Sequence, residues 1–508
     1  MQDFNWQKLQ NGSDIRGVAI EGVPNEPVNI TPEIAKRLGQ AFTTWLARKL
    51  DKSTTGLVIS VGRDSRLSGA ELMQAVMEGI NSLGSEVYDF AIASTPAMFM
   101  STITDGFYCD GAIMLTASHL PFNRNGLKFF TAQGGLEKKD ITDILNFAAQ
   151  HQFDIASTEG KITNHDFIAV YADQFVTKIR ADVNHPEHYE QPLKGLKIIV
   201  DAGNGAGGFY ASKVLEPLGA DITGSQFLDP DGTFPNHVPN PEDKAAMASI
   251  CEAVIKHQAD FGIIFDTDVD RSAAVDQFGK ELNRNRLIAL ISAIVLQEHP
   301  KSTIVTDSIT SDGLTKFIEQ DLQGIHHRFK RGYKNVINES IRLNRSGQES
   351  WLAIETSGHG AMKENHFLDD GAYLVSKLLI ELAKSKLAGK SLTDLIANLQ
   401  EPIESEEFRI KMGVEDFKAL GDRVIKQLQE FAATQANWEV VANNYEGVRV
   451  SCKSDVENGW FLLRLSLHDP VMPLNIESNV QGGVAQIAKR LISFFQAIDS
   501  LDISALTS

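Results

Sequence analysis

Three carboxylates at alternating positions stand out in the stretch DFGIIFDTDVDRSAAVD. Asp266, Asp268 and Asp270 directly follow an apolar run that is typical of a buried β-strand. Carboxylates this close repel one another unless protons or a cation neutralise them, and hard oxygen ligands in this number suit Mg²⁺. An EF-hand is excluded because Arg271 stands where that loop needs its turn glycine and Gln277 where it needs its terminal glutamate. The remaining alternative is a solvated acidic turn, and the position directly after a buried strand favours the metal site.

A second candidate for chemistry is the stretch MLTASHLPFNRNGLKFF, in which Ser118 and His119 follow an apolar run. The pair is similar to that of a hydrolase. However, neighbours in an extended segment point to opposite faces, and the glycines of a nucleophile elbow are missing. Phosphoryl chemistry fits better, with Lys128 able to act on the same group. The residues alone leave open that Ser118 only caps a turn.

Cationic side chains stand out at three places in a chain whose formal net charge is -18. They are Arg16 in GSDIRGVA, Arg63 and Arg66 in SVGRDSRLSG, and Lys330 and Arg331 in HHRFKRGYK. A single surface arginine is usually part of an exposed ion pair. The dense cluster in so acidic a chain instead predicts a local site for an anion.

Two later stretches carry polar side chains close to a turn or at the end of a strand. They are Glu355, Ser357 and His359 in AIETSGHG, and Arg464, Ser466 and His468 in GWFLLRLSLHDP. The first set suits a hydroxyl-rich ligand, because a carboxylate accepts hydrogen bonds from sugar hydroxyls. The second set alternates, so its donors can converge on one phosphate. An ordinary glycine-rich turn and an amphipathic strand edge remain the alternatives.

Repeated elements must position these side chains. Three stretches share a pattern of strand, turn, helix and second strand: GLVISV to EVYDF, LKIIVD to ADITGS, and STIVTD to GIHHRF. Because such units join parallel strands, the pattern predicts three related α/β domains. The remaining segment reads as a compact α+β module. We predict domains at residues 1–160, 161–280, 281–400 and 401–508.

The composition limits the partners and the compartment of the 508-residue chain. Its negative charge makes nucleic acid and anionic membranes poor partners. Cys109, Cys251 and Cys452 lie far apart and form no CxxC pair, which argues against disulfides and a thiolate zinc site. The N-terminal stretch lacks an apolar signal core, and the longest apolar run, LIALISAIVL, is too short to span a bilayer. We therefore expect a cytoplasmic protein.

Seven motifs, in order along nearly the whole chain, resemble the landmarks of the α-D-phosphohexomutase superfamily, which includes the phosphoglucomutases and phosphomannomutases. They are SDIRG, GRDSRLSG, TASH followed by P, NG and K, DAGNGAG, FDTDVDR, ETSGH, and R-S before P. The resemblance implies an α/β fold, with three topologically similar α/β domains plus a smaller C-terminal α+β domain around a central cleft. It also implies that Ser118 carries a phosphoryl group that completes a Mg²⁺ shell made by Asp266, Asp268 and Asp270.

The resemblance further implies roles at matching positions. Acid–base catalysis and its electrostatic support are implied for the positions of Arg16, Lys128 and His359. Arg271 is implied to offset negative charge in the phosphoryl transition state. The implied substrate contacts are Glu355 and Ser357 for the sugar, Arg464 and Ser466 for the distal phosphate, and Arg63, His119, Lys330, Arg331 and His468. The implied partners are hexose phosphates and bisphosphates, and we expect a monomer or dimer.

Several residues depart from the usual pattern of that family. They are Ser13, Leu120, Thr267 and Tyr333, together with the segment 467–470. The departures favour a branch that resembles the glucose-1,6-bisphosphate synthases, which use fructose-1,6-bisphosphate as phosphoryl donor to glucose 1-phosphate or glucose 6-phosphate. The alternative is a phosphoglucomutase/phosphomannomutase that interconverts hexose 1- and 6-phosphates. A remote alternative is a non-catalytic sensor of sugar phosphates.

Overall fold

The computed structural model describes residues 4–150, 153–466 and 469–507. The chain forms two compact units, Met1–Leu287 with Ser357–Asp394, and Ile288–Thr356 with Leu395–Ser508. We call them unit 1 and unit 2. Within the described residues, no helix combines the length and apolar character that crossing a membrane requires.

The helices and strands of the first 282 residues alternate along the chain. The first part contains β1 (Gln10–Asn11), β2 (Asp14–Val18), α1 (Pro32–Leu50), β3 (Val58–Arg63), α2 (Gly69–Asn81), β4 (Glu86–Ile92), α3 (Thr95–Met100), β5 (Gly111–Leu115), β6 (Arg124–Thr131), β7 (Gly134–Gly135), α4 (Lys138–Gln150), β8 (Ile162–Asn164) and α5 (Phe167–Val183). The second contains β9 (Ile198–Asp201), a π-helical turn (Tyr210–Leu215), α6 (Lys244–His257), β10 (Phe261–Phe265), β11 (Ser272–Asp276) and β12 (Glu281–Leu282).

Later elements follow the same alternation until the C-terminal module. The third part contains α7 (Arg284–Glu298), β13 (Thr303–Thr306), α8 (Asp312–Lys316), a π-helical turn (Phe317–Asp321), β14 (Ile325–Arg328), α9 (Tyr333–Arg345), β15 (Ser350–Ile354), β16 (Gly360–Met362), β17 (Leu368–Asp369) and α10 (Gly371–Leu387). The last contains β18 (Glu404–Met412), α11 (Phe417–Thr434), β19 (Trp438–Val440), β20 (Val448–Cys452), β21 (Gly459–Leu463), β22 (Val471–Ser478), α12 (Gly483–Phe495), β23 (Leu501–Asp502) and α13 (Ser504–Thr507).

Two sheets of unit 1 position the candidate site. In the first, the strand order is β1-β2-β6-β5-β3-β4-β8, with β3 parallel to β4 and β5, and β6 antiparallel to β5. In the second, the order is β12-β11-β10-β9, and β9 runs parallel to β10. The parallel strand-helix-strand pattern is confirmed for β3, α2 and β4.

The second predicted strand-helix-strand stretch is less regular than expected. Its second strand is reduced to isolated parallel bridges, Lys197 with Asp221 and Asp201 with Gln226. The reason is a turn between the two bridges, where Gly224 has a φ of +105° and interrupts the extended backbone.

Unit 2 contains a parallel sheet and an antiparallel sheet. The strands β13, β14 and β15 pair in parallel, which confirms the third predicted stretch. The C-terminal module has the strand order β19-β20-β21-β22-β18-β23 in antiparallel pairs. Its core includes Leu428 of α11, Phe461 of β21 and Ile487 of α12, all fully buried. Three α/β parts and an antiparallel α+β module therefore make up the expected fold class.

Strand ends bring the chemistry-bearing residues of unit 1 close to one another. The buried strand β5 ends at Leu115, shortly before Ser118, and β10 ends directly before Asp266. Both strands lie in sheets with parallel pairs, whose carboxyl ends are the usual place for ligand binding. Lys128 lies on the neighbouring strand β6 and Arg16 on β2.

Candidate active site

Ser118 lies on the loop after β5, and its side chain faces the aspartate loop after β10. Its Oγ donates to Asp266 Oδ2 at 3.0 Å and accepts from Arg271 Nη2 at 3.0 Å. Its backbone has a φ of +49°, in the left-handed region, and Thr116 Oγ1 accepts from its N–H at 2.8 Å. The expectation that Ser118 and His119 point to opposite faces of an extended segment is wrong. The backbone turns at Ser118, and His119 Nδ1 lies only 3.3 Å from Ser118 Oγ.

The three aspartates form a compact buried cluster. Asp266, Asp268 and Asp270 are each at most 1% exposed, and one carboxylate oxygen from each lies within 4.8 Å of the other two. Among the described residues, Asp268 Oδ1 and Asp270 Oδ1 are buried and have no hydrogen-bond partner. A buried carboxylate oxygen without a donor costs free energy that a cation recovers. The donor set therefore fits a divalent metal of the Mg²⁺ type.

Two cationic side chains share this cluster. Lys128 Nζ lies 2.5 Å from Asp270 Oδ2, and Arg271 Nη2 lies 2.9 Å from Asp266 Oδ2. Burial and the charge of Asp270 raise the pKa of Asp266 well above its ordinary value. Burial acts the same way on Asp270, but Lys128 and Arg271 outweigh it and lower the pKa of Asp270. Two cations cannot neutralise three carboxylates, so the site retains negative charge for a metal or a proton.

Two more predicted residues adjoin the Ser118 loop and the aspartates. Arg16 donates from Nη1 to the carbonyl oxygen of Thr116 at 2.6 Å, at the base of the Ser118 loop. His359 Nε2 lies 3.6 Å from Asp270 Oδ1, and its Nδ1 lies 2.9 Å from Ser357 Oγ. The structure thus brings residues that are far apart in the chain to one group of carboxylates.

His119 and Arg63 have more local partners. Arg271 Nη2 donates to His119 Nδ1 at 2.7 Å, and burial together with the Arg271 charge lowers the pKa of His119 to about 3. His119 is therefore a neutral acceptor here. Arg63, the last residue of β3, is partly buried and donates from Nη1 to the carbonyl oxygen of Asp64 at 3.0 Å.

Unit 2 contains a second group of predicted substrate contacts. Arg331 N donates to Glu446 Oε2 at 3.1 Å, and Gly332 N donates to Glu355 Oε1 at 2.5 Å. In the part of the chain that the structure describes, Arg464 Nε is buried without a hydrogen-bond partner. Burial and the charge of Arg331 lower the pKa of Arg464. A buried guanidinium N–H without an acceptor suits an anionic group.

The remaining predicted contacts of unit 2 are less enclosed. Lys330 is exposed, and Ser466 Oγ accepts from Asp469 N at 3.3 Å. His468 lies outside the described residues, so its assignment stays a prediction.

Comparison with known proteins decides the family. Models of phosphoglucomutase/phosphomannomutase alpha/beta/alpha domains I, II and III match residues 7–154, 171–279 and 283–403. A phosphomannomutase/phosphoglucomutase of Pseudomonas syringae pv. tomato is 31% identical over 475 residues, which covers 93% of this chain and 92% of that protein. The chain belongs to the phosphoglucomutase/phosphomannomutase family.

Two other relatives are similar to this chain over nearly its whole length. A phosphoglucomutase of Neisseria meningitidis serogroup A is 28% identical over 490 residues, 96% of each protein. The crystal structure of a phosphoglucomutase/phosphomannomutase family protein from Burkholderia thailandensis has a TM-score of 0.76 and 26% identity, and covers 97% of both chains. The protein is therefore an enzyme of the phosphohexomutase type.

Several neighbours of the phosphohexomutase site were missed in the sequence. Thr95 Oγ1 donates to Asp268 Oδ2 at 2.5 Å, and Asn240 Oδ1 accepts from Arg271 Nη1 at 3.1 Å. Thr95 has the signature of a helix start, because Pro96 follows it at the beginning of α3. Nothing local in the sequence links either residue to the aspartate loop.

Proposed function

We propose that this phosphohexomutase interconverts hexose 1- and 6-phosphates, with Ser118 as the phosphoryl carrier and Mg²⁺ bound by Asp266, Asp268 and Asp270. The observation that carries the proposal is the pair of 3.0 Å contacts of Ser118 Oγ with Asp266 Oδ2 and Arg271 Nη2. A hydroxyl in contact with both a ligand carboxylate and a guanidinium suits a phosphate ester.

The chemistry consists of two phosphoryl transfers that balance. In the first, a sugar hydroxyl attacks the phosphorus of phosphorylated Ser118, its proton passes to His359, and the bond from phosphorus to Ser118 Oγ breaks. In the second, Ser118 Oγ attacks the other phosphorus of the resulting hexose bisphosphate, the bond from that phosphorus to the sugar oxygen breaks, and the sugar oxygen takes up the proton to become a hydroxyl. When bound by Asp266, Asp268 and Asp270, Mg²⁺ would supply positive charge that offsets the negative charge of the transferred group.

Side chains of unit 1 support these transfers. Arg271 stabilises the charge that develops on Ser118 Oγ as the ester bond breaks. Burial and the charge of Arg271 hold the pKa of His359 well below its ordinary value, so His359 is neutral and accepts the proton of the attacking hydroxyl. Lys128 and Arg16 support the transfer electrostatically. In unit 2, the resemblance gives Arg331 and Arg464 the role of binding a phosphate and Glu355 the role of accepting hydrogen bonds from sugar hydroxyls, and these roles stay predictions.

Synthesis of glucose 1,6-bisphosphate was the first expectation, and the relatives favour the mutase alternative instead. The matched proteins are named phosphoglucomutases or phosphomannomutase/phosphoglucomutases. Part of the segment behind the synthase hypothesis, Leu467 and His468, lies outside the described residues. The sensor alternative has less support, because Ser118, Lys128 and the aspartates are assembled in one cluster. The cytoplasmic location and the monomer or dimer remain predictions.

The deciding experiment follows phosphorus-containing products by NMR. The protein is incubated with Mg²⁺, glucose 6-phosphate and fructose-1,6-bisphosphate. Interconversion of glucose 1- and 6-phosphates with only traces of bisphosphate supports the mutase. Stoichiometric accumulation of glucose 1,6-bisphosphate supports the synthase. Ligand-induced thermal stabilisation without turnover supports the sensor.

A labelling experiment tests the role of Ser118 separately. We expect Ser118→Ala to abolish ³²P transfer from labelled hexose bisphosphate to the protein. Ser292→Ala is the matched control, because it removes a buried hydroxyl from α7 outside the Ser118 cluster. Persistent labelling of Ser118→Ala removes Ser118 from the mechanism.

A further inference from the structure

A buried arginine lies directly behind the Ser118 loop. Arg66 stands between β3 and α2, is 1% exposed, and directs its guanidinium at backbone carbonyls of that loop. Nη1 donates to the carbonyl oxygens of Pro121 at 2.8 Å and Arg124 at 3.0 Å. Nη2 donates to the carbonyl oxygens of Leu120 at 2.5 Å and of Ser118. One side chain therefore contacts the loop at four carbonyls.

The geometry uses the specific shape of arginine. A guanidinium has five N–H donors in a planar fork, and the four of its two terminal nitrogens match the four carbonyls. The fifth, on Nε, faces Asp64 Oδ2 at 3.4 Å, while Asp64 Oδ1 accepts from the backbone N of Arg66 at 2.9 Å. A lysine offers its donors from a single atom and cannot span the same carbonyls.

A second segment of the chain, which contains Gly232 and Phe234, packs against the guanidinium of Arg66 and the turn that bears it. The ring centroid of Phe234 lies 5.5 Å from the Arg66 Cζ atom. On the same segment, Gly232 approaches the turn so closely that an added Cβ would lie 2.4 Å from the backbone N of Leu67. Arg66 is thus enclosed by protein, and the donors of its two terminal nitrogens are bound to carbonyls of the chain rather than open to an anionic substrate.

The backbone of Ser118 needs such support. Its φ of +49° lies in the left-handed region, which costs free energy for a residue with a Cβ. Arg66 binds the carbonyl oxygen of Ser118, while the Oγ of the same residue meets Asp266 and Arg271. Ser118 is therefore held at its backbone and at its hydroxyl by different groups.

We propose that Arg66 is a positioning residue that holds the Ser118 loop in the conformation required for phosphoryl transfer. This reassigns one of the arginines of GRDSRLSG from a possible anion contact to a support of the backbone. The effect on rate rests on the proposed function, whereas the effect on loop order does not.

The experiment compares the full-length variants Arg66→Met and Arg66→Lys with the wild type. Hydrogen exchange measures the order of the loop at residues 116–125, and we expect exchange there to quicken by about tenfold in both variants. With glucose 1-phosphate as substrate we expect kcat to fall by about 100-fold, as a displaced reacting group would cause. KM should stay within about threefold, because Arg66 is buried and its terminal nitrogens donate to backbone carbonyls.

Arg180→Met is the matched control, because Arg180 also donates to backbone carbonyls, those of Glu190 and Pro217, but lies outside the site. It should leave kcat and the loop's exchange unchanged. Unchanged exchange at 116–125, or equal quickening throughout unit 1, overturns the proposal. If both Arg66 variants misfold, Phe234→Leu tests the same support, and unaltered exchange in that loop then counts against it. Absence of turnover in the wild type overturns the proposed function, while the exchange result still decides the role of Arg66.

Discussion

Replacing Lys128 by methionine tests how the aspartate cluster is balanced. Lys128 is 5% exposed, and its Nζ lies 2.5 Å from Asp270 Oδ2 and 3.7 Å from Asp268 Oδ2. Methionine removes the charge and retains a long flexible apolar side chain. The variant leaves the three carboxylates with Arg271 as the neighbouring cation in the described cluster.

The expected cost follows from these distances. With an effective dielectric constant of about 20, the attraction is about 7 kcal/mol at the shorter distance and about 4 kcal/mol at the longer one. Returning the ammonium to water recovers several kcal/mol of this, and removal of one partner from a buried pair typically costs about 3–5 kcal/mol. We therefore expect Lys128→Met to destabilise the metal-free protein by about 3–5 kcal/mol.

Magnesium should restore part of that loss. A ligand at 100 times its Kd stabilises the folded state by about 2.7 kcal/mol. Removal of a neighbouring positive charge strengthens the attraction for a cation, so the stabilisation by Mg²⁺ should be larger in Lys128→Met than in the wild type. Calorimetric unfolding in EDTA and in Mg²⁺ measures both quantities.

A surface lysine provides the control. Lys178 of α5 pairs with Asp182 at 2.9 Å, and both side chains are partly exposed to solvent. Lys178→Met should cost about 1 kcal/mol or less and should leave the response to Mg²⁺ as in the wild type. We also expect kcat of Lys128→Met to fall by about 100-fold to 10,000-fold. Wild-type stability of Lys128→Met in EDTA, or an equal response to Mg²⁺ in both proteins, refutes this account of the cluster.

Three further substitutions test other parts of the structure. Burial raises the pKa of Glu477 from its ordinary 4.5 to about 7, so the folded chain retains a proton that the unfolded chain releases, and stability falls as pH rises between these values. Below pH 4.5, Glu477→Gln should be as stable as the wild type, and above pH 7 its free energy of unfolding should exceed that of the wild type by up to about 3 kcal/mol. A difference in unfolding free energy that stays constant with pH contradicts this. Gly371→Ala would place a Cβ 2.7 Å from the backbone of Arg271, next to Asp270, and should therefore displace the aspartate loop and weaken Mg²⁺ binding. Calorimetric titration measures this against the control Gly56→Ala, whose added Cβ meets nothing within 4 Å. Arg464→Met should raise KM for glucose 1-phosphate by at least about tenfold, and an unchanged KM argues against its role in binding phosphate.

The elements that bear the candidate site were predictable because their signals are local. The apolar run before Asp266 predicted the buried strand β10, and the alternation of acidic residues predicted a cluster of carboxylates directly after it. The apolar run before Ser118 similarly predicted β5. The conformation of Ser118 was not predictable, because its left-handed backbone lacks the glycine that usually marks such a turn. The prediction that Ser118 and His119 point to opposite faces was wrong for that reason.

Supporting contacts could not be predicted because they join distant parts of the chain. Arg66 and the carbonyl of Arg124 are 58 positions apart, and Thr95 and Asp268 are 173 positions apart. Neither Arg66 nor Thr95 differs in type from residues of ordinary surface turns and helix starts. Burial gives them their roles, and burial depends on how the sheets and loops pack.

The sequence by itself determined the α/β class, the buried strands that precede Ser118 and Asp266, and the residue types that fit phosphoryl transfer with a divalent metal. These depend on hydrophobic periodicity and on side-chain chemistry, both of which act over a few residues. Only the tertiary structure decided that Ser118 Oγ meets Asp266 across 148 positions, and that Arg66 holds the carbonyls behind it. The physical reason is that hydrogen bonds of about 3 Å require the packing of separate strands to bring their ends together.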